Sequence, residues 1–397
     1  MSDTPLPEPR RAPLWLLALI TFSGTLAMHV FVPALPQAAA ALGASPGSLQ
    51  LTISFYIAGL AVGQLVYGPL SDRYGRRPVL LAGLFLYTTA GLAAALAPDA
   101  ASLIAARLFQ ALGGCAGLVL GRAIVRDGAA LSEAAQRLAT MNLMVALGPG
   151  LAPLLGTALT AAAGWRAVLW SLCGLGVLNA LLAWRWIPAG VAPASRQDSG
   201  QVLRSYLRLL RSPAFLGYAL GGGCATTSMY AFIAAAPFII TGELGRSSGE
   251  VGLYLAIVVF GIWLGSACAS RLARRVRLAR LMVRGNLVSL FGASLFLAAV
   301  LTGTLGVAIT VISMALFTFG AGLAGPPALA EALSVNPQVA GSASGLYGFA
   351  QMAIGAVCTA LSGASRDHAL AVGLILVSAG VLSQLGFLLA LRAPRRA

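Results

Sequence analysis

The sequence predicts an all-α polytopic membrane protein, with about twelve transmembrane helices in two pseudo-symmetric six-helix bundles. Three observations predict it. Of 397 residues, 58% are hydrophobic and only 9% charged, well outside soluble composition. Apolar runs of about 20 residues, the length that crosses a bilayer, recur from end to end. The basic residues lie between those runs, almost all on one side.

The runs cover 14–36, 49–70, 79–97, 101–121, 138–161, 166–187, 214–241, 250–270, 279–302, 305–330, 340–362 and 369–391. Little chain is left over, so no sizeable soluble domain is expected. With the N-terminus in the cytoplasm, 22 of the 26 basic residues, all arginine, fall on the cytoplasmic side. Arg166, Arg246 and Arg366 fall outside, and Arg107 falls inside a span. This is the positive-inside distribution, with both termini cytoplasmic. The net charge of +15 therefore reports topology, and no soluble basic face remains for nucleic acid. The chain has no lysine. That rules out a Walker A phosphate loop and a lysine Schiff base. Cys115, Cys173, Cys224, Cys268 and Cys358 all sit in apolar runs without a C-x-x-C pair, and read as small buried apolar residues. No cofactor or metal is expected.

The first run follows Arg10-Arg11 and ends in Val32-Pro33-Ala34-Leu35-Pro36. It is longer than a signal-peptide core, so it reads as an uncleaved first span. After the second run comes Gly68-Pro69-Leu70-Ser71-Asp72-Arg73-Tyr74-Gly75-Arg76-Arg77, which holds the first Asp, Glu or Arg after Arg11. Gly68 suits close helix approach, and Gly75 a tight turn. Asp72 suits the positive N-terminus of the eleventh span, near Ser342 and Ser344. That contact would latch the cytoplasmic side shut; the alternative is a solvated charge cluster. Arg73, Arg76 or Arg77 is expected to pair with Asp127. The fourth run reads Arg107-Leu-Phe-Gln110-Ala-Leu-Gly113-Gly114 and continues to Arg122-Ala-Ile-Val-Arg126-Asp127. The fifth carries Gly148-Pro149-Gly150-Leu-Ala-Pro153-Leu-Leu-Gly156, whose prolines are expected to bend or loosen the helix.

Residues 188–212 are rich in Pro, Ser and Arg and read as a cytoplasmic linker, with a short amphipathic helix on the lipid surface. It separates an N-terminal bundle, 1–187, from a C-terminal one, 213–397. A shift of 198 residues lays Asp72-Arg73-Tyr74-Gly75-Arg76-Arg77 on Ser270-Arg271-Leu272-Ala273-Arg274-Arg275. The arginines match in register while the Asp and the Gly are lost, as in a duplicated half.

These motifs, with Gly164-Trp165-Arg166, Ala231-Phe232-Ile-Ala-Ala-Ala-Pro237-Phe238 and Ala340-Gly341-Ser342-Ala343-Ser344, resemble the Bcr/CflA drug-exporter branch of the major facilitator superfamily. The resemblance implies that fold, drug/proton antiport across the bacterial inner membrane by a functional monomer, and an export role for the fifth-span segment Gly148, Pro149, Pro153 and Gly156. It also implies phenicol-, bicyclomycin- or sulfonamide-type drugs, or small metabolites, as substrates.

The sequence departs from that family at His29, where the first span typically carries an Asp four residues before Pro-Ala-Leu-Pro. At 1.5 Å per residue, His29 lies ~22 Å from the cytoplasmic edge and Arg107 ~9 Å from the outer edge. Together these approach the ~30 Å hydrocarbon thickness, so both sit at one level. Imidazole titrates in a useful range for a proton carrier. The alternative is a neutral cavity histidine. Arg107 reads as a cavity residue or as a brace bonded to carbonyls and Gln110. Gln110, Asn142, Tyr218, Tyr230, Phe232, Tyr347 and Gln351 are candidates for the cavity wall, the competing reading being ordinary packing. A cavity without a buried acid offers cations no counter-charge. It therefore favours neutral or weakly anionic compounds exchanged for protons. The rival expectation is a facilitator or importer of a metabolite, or weakened coupling because His29 replaces the acid.

Overall fold

The computed structural model describes residues 12–127, 131–188, 199–336 and 339–393. Each predicted run is a helix. The twelve spans are Leu14–Ala41, Pro46–Tyr74, Arg76–Ala95, Ala100–Asp127, Leu131–Ala163, Trp165–Trp186, Pro213–Glu243, Ser248–Leu272, Leu278–Leu301, Val307–Ser334, Ala340–Ala364 and His368–Arg392. Helices satisfy their own backbone, which the membrane interior requires. Large apolar side chains stay exposed around the bundle, among them Phe85, Trp170, Leu181 and Phe291. A soluble protein would not tolerate so broad an apolar coat; a lipid-facing one needs it.

The first and seventh spans are interrupted. The first changes to 3-10 geometry over Val32–Ala34, where Pro33 removes a backbone donor. The seventh breaks at Ser228 and ends in a π turn over Ile239–Glu243, after Pro237. By contrast, helical geometry is unbroken over Leu131–Ala163, through the fifth-span prolines. Between the sixth and seventh spans, Ser199–Leu210 forms a helix. Its Leu209 is buried against Phe215 and Tyr218 of the seventh span and Leu346 of the eleventh. Residues 189–198, including Arg196, and residues 1–11, with Arg10 and Arg11, lie outside the described residues.

Packing depends on glycine, because lipid supplies no hydrophobic drive between helices. The fourth span is the hub of the first half. A Cβ on Gly113 would overlap the backbone nitrogen of Tyr87, and one on Gly117 would lie 2.5 Å from Ile20 O. The tenth span occupies the equivalent place. A Cβ on Gly320 would lie 2.5 Å from Gly285 O, and one on Gly322 2.9 Å from Ser266 N. These contacts are backbone, so no rotamer change relieves a larger residue. Gly113→Val should therefore cost at least the roughly 1–3 kcal/mol of an overpacked core. It should lower the thermal unfolding midpoint of detergent-purified protein. Gly174→Ala, where a Cβ meets open space, should leave that midpoint unchanged or slightly raised.

Candidate functional site

At the arginine-rich end, the second span runs to Tyr74 and the third starts at Arg76. Gly75 alone makes the turn, at φ 94° and ψ 151°, a conformation open to glycine. In the second half the equivalent connection has Ala273 at φ −58° and takes five residues, which explains how the glycine could be lost there.

This sharp turn swings Arg76 back into the bundle, where it is buried. Its Nη1 lies 2.5 Å from Asp72 Oδ1, and its Nε donates to Asp127 Oδ2 at 2.9 Å. Nη1 also donates to Ser71 Oγ. One guanidinium thus ties together the ends of the second, third and fourth spans. Its neighbours act differently: Arg77 donates to Trp184 O of the sixth span at 2.5 Å, and Arg73 stacks over Tyr74.

Beside this node lies a cavity of about 750 Å3, walled by the second, fourth, fifth, tenth and eleventh spans and by Tyr206 of the linker helix. Helical spacing selects its lining. On the second span these are Gln64, Gly68 and Asp72; on the fourth, Leu118, Val119, Arg122, Ala123 and Arg126. Each set is a one-face stripe. Ser342 and Ser344 of the eleventh span line the opposite wall. Asp72 and these serines therefore border one cavity while the carboxylate bonds Arg76. Gly68, expected at a close helix approach, meets nothing within 4 Å, because the second and eleventh spans have diverged at its level.

They converge deeper in. A Cβ on Gly348 would overlap the Gln64 side chain, and at the far end one on Gly47 would overlap Gly363 O. There Gln50 Oε1 accepts from Ser362 Oγ at 3.2 Å, and Gln50 Nε2 lies 3.4 Å from His368 Nδ1. The fifth and eighth spans repeat the closure, with a Gly252 Cβ 2.7 Å from Pro153 O. Gly156 of the same segment packs its backbone on Val30 O of the first span. The side chains of Asn142 and Pro149 lie outside the described residues, as does the packing of Gly148.

The intramembrane pair lies above the cavity floor, sealed from it. Arg107 is fully buried; it donates to Gln110 Oε1 at 2.7 Å and to Ala27 O of the first span at 2.8 Å. Its guanidinium lies 4.2 Å from the centroid of the Tyr56 ring and 5.1 Å from that of Phe31, so cation–π contacts stand where a carboxylate would. In this conformation Arg107 is a brace. His29 is buried with Nδ1 2.9 Å from Thr25 O. A carbonyl only accepts, so Nδ1 carries hydrogen and Nε2 is left to gain a proton. The ring faces Tyr230, with centroids 6.1 Å apart.

None of Gln110, Tyr218, Tyr230, Phe232, Tyr347 and Gln351 lines this cavity. The first five are buried in packing, and Gln351 donates to Thr226 Oγ1 at 2.8 Å. Tyr230 faces His29 of the first span, where the halves are closed together, whereas Tyr218 and Tyr347 pack in an apolar cluster of the second half and its linker helix. Arg122 and Gln64 are the cavity residues that sequence reading overlooks. The fourth run's motif includes Arg122 without a cavity role, and the helix that carries it continues to Asp127. The i, i+3, i+4 spacing of Leu118, Val119, Arg122 and Arg126 was the available signal.

Twelve spans around a cavity open at one end and sealed at the other define a membrane transporter. Residues 17–360 match the family model for the Major Facilitator Superfamily. The chain is 29% identical over 394 residues to the uncharacterized MFS-type transporter YdgK of Bacillus subtilis, covering 98% of this chain and 97% of that one. It is 31% identical over 357 residues to multidrug resistance protein D of Escherichia coli, covering 88% of each. The fold matches the crystal structure of a D-xylose-proton symporter with a TM-score of 0.74 at 16% identity, over 96% of this chain and 97% of that one. The chain belongs to the Major Facilitator Superfamily and groups with its multidrug-resistance transporters, as the Bcr/CflA motifs implied.

Arg76 carries the sharpest stability consequence. Arg76→Met strands Asp72 and leaves the buried Asp127 carboxylate only the longer contact to the exposed Arg126 at 3.4 Å, and losing one partner of a buried pair costs about 3–5 kcal/mol. The variant should lose monodispersity on heating in detergent at a clearly lower temperature than wild type. Arg73→Ala, exposed at the same turn, should not.

Proposed function

We propose that the protein is a bacterial inner-membrane exporter of small neutral or weakly acidic drug-like compounds in exchange for protons, working as a monomer by rocking alternating access. Its moving units are the two six-helix halves, 1–187 and 213–397, joined by 188–212. The observation that carries the reading is the cavity between spans of both halves, which among the described residues lies at the arginine-rich end. By the positive-inside rule that end is cytoplasmic, so the conformation is inward-open.

Outward opening would require the glycine contacts at Gly47–Gly363 and Pro153–Gly252 to part and the cytoplasmic walls to meet. Asp72 would then reach the start of the eleventh span at Ser342, whose helix N-terminus favours an anion. Asp72 and its Arg76 node thus form the cytoplasmic latch. His29 is the proton carrier: Nε2 takes a proton when the cavity faces outward and gives it up inward. Tyr230, facing it from the seventh span, links its charge state to the other half. No Asp or Glu among the described residues lies mid-span, so lipophilic cations find no counter-charge. The same feature favours a second reading, in which coupling is weak and the protein facilitates rather than pumps.

Drug-susceptibility and proteoliposome measurements separate these readings. Expression in a pump-deficient host should raise resistance to a phenicol. Phenicol transport should require a proton gradient in wild type and lose that requirement in His29→Ala. Export by His29→Ala with undiminished gradient dependence removes the histidine from the coupling role. Gly47→Leu, by wedging the second and eleventh spans apart at the closed end, should shift the population toward outward-open. Spin-label distances across that end should lengthen; unchanged distances would contradict the rocking geometry.

A further inference from the structure

The cavity holds more positive charge than it neutralises. Its charged groups are Asp72, Arg76, Arg122, Arg126 and Asp127. Arg76 binds both carboxylates, at 2.5 Å and 2.9 Å, and Arg126 reaches Asp127 at 3.4 Å. Three arginines against two aspartates leave one charge over. It resides on Arg122: among the described residues no carboxylate pairs with it, and no hydrogen bond holds its guanidinium. Arg122 is nonetheless placed with care. Its helix neighbour Gly121 packs against Thr21 of the first span, turning Arg122 the other way, into the cavity. At 1.5 Å per residue it stands ~7.5 Å in from the helix end at Asp127, deeper than a charge placed only to set topology.

Around it the walls are apolar. Leu118 and Val119 lie one turn deeper on the same helix, and Leu138 and Leu329 face in from the fifth and tenth spans. We propose that Arg122 is the recognition residue of the inward-open cavity, and that it selects organic monoanions: a compact apolar or aromatic body bearing one carboxylate. A guanidinium fork matches a carboxylate bidentately. One spare positive charge balances a monoanion; a phosphate dianion would bring an uncompensated charge against leucine and valine. The inference rests on reading this cavity as the substrate's entry site. It deepens that reading by making the carboxylate, within the neutral-to-acidic range, the favoured group.

The test uses the full chain in nanodiscs and a matched pair of probes, nalidixate and its uncharged carboxamide, with affinities from equilibrium dialysis. Wild type should bind nalidixate about tenfold more tightly, equivalent to about 1.4 kcal/mol. Arg122→Gln should reduce nalidixate to the level of the carboxamide, and Arg122→Lys should keep part of the preference. Equal affinities in wild type, or a preference that survives in Arg122→Gln, overturns the proposal. The wild-type comparison decides the matter even if a variant does not fold. Chloramphenicol transport in proteoliposomes separates this from the functional reading. Transport without carboxylate preference defeats only the role of Arg122; preference without transport of either drug defeats only the exporter.

Discussion

The close approach of the second and eleventh spans at one end only is the constraint on which the rest depends. At Gly47 and Gly363 the backbones touch with no side chain between them. At Gly68 the same two helices are far enough apart that a Cβ meets nothing. Helices are stiff, so contact at one end and separation at the other define a wedge, and the wedge is the cavity. Glycine permits this because lipid exerts no hydrophobic pressure to hold helices together; close backbone packing must do so.

The handling of charge follows from that geometry. Opening one end admits water to groups that would otherwise be buried, and the protein uses Arg76 to gather the two acids there into a single node. Concentrating both carboxylates on one guanidinium leaves Arg122 unclaimed within the wedge. Deeper in, Arg107 is held through its two Nη atoms by Gln110 and a backbone carbonyl and lies against two aromatic faces. The two arginines lie on the same helix. Their different surroundings decide which serves structure and which faces solvent.

Much of this was legible in advance, for identifiable reasons. Apolar runs in a membrane protein are long, and the requirement for internal backbone pairing leaves few alternatives to a helix. Gly75 was legible because a tight basic turn demands a residue free of Cβ strain. The pairing with Asp127 was legible as a charge match, though which arginine made it was not. Gln110 emerged as the partner of Arg107, as its spacing of three residues allows. Tyr230, Phe232 and Tyr347, expected in the cavity wall, are packed in this conformation, because an aromatic residue can line a cavity in one conformation and pack in another.

By itself the sequence determined the number of spans, which of their ends carry the arginines, the turn at Gly75 and the absence of a mid-span acid. These are local properties of composition and order along the chain. Only the tertiary structure decided which end is open, that Arg76 rather than Arg73 or Arg77 holds both acids, and that Arg122 faces the cavity while Arg107 does not. Those outcomes depend on how helices distant in sequence are tilted and rotated against one another. No stretch of sequence encodes that alone, because the contacts that set it come from both halves together.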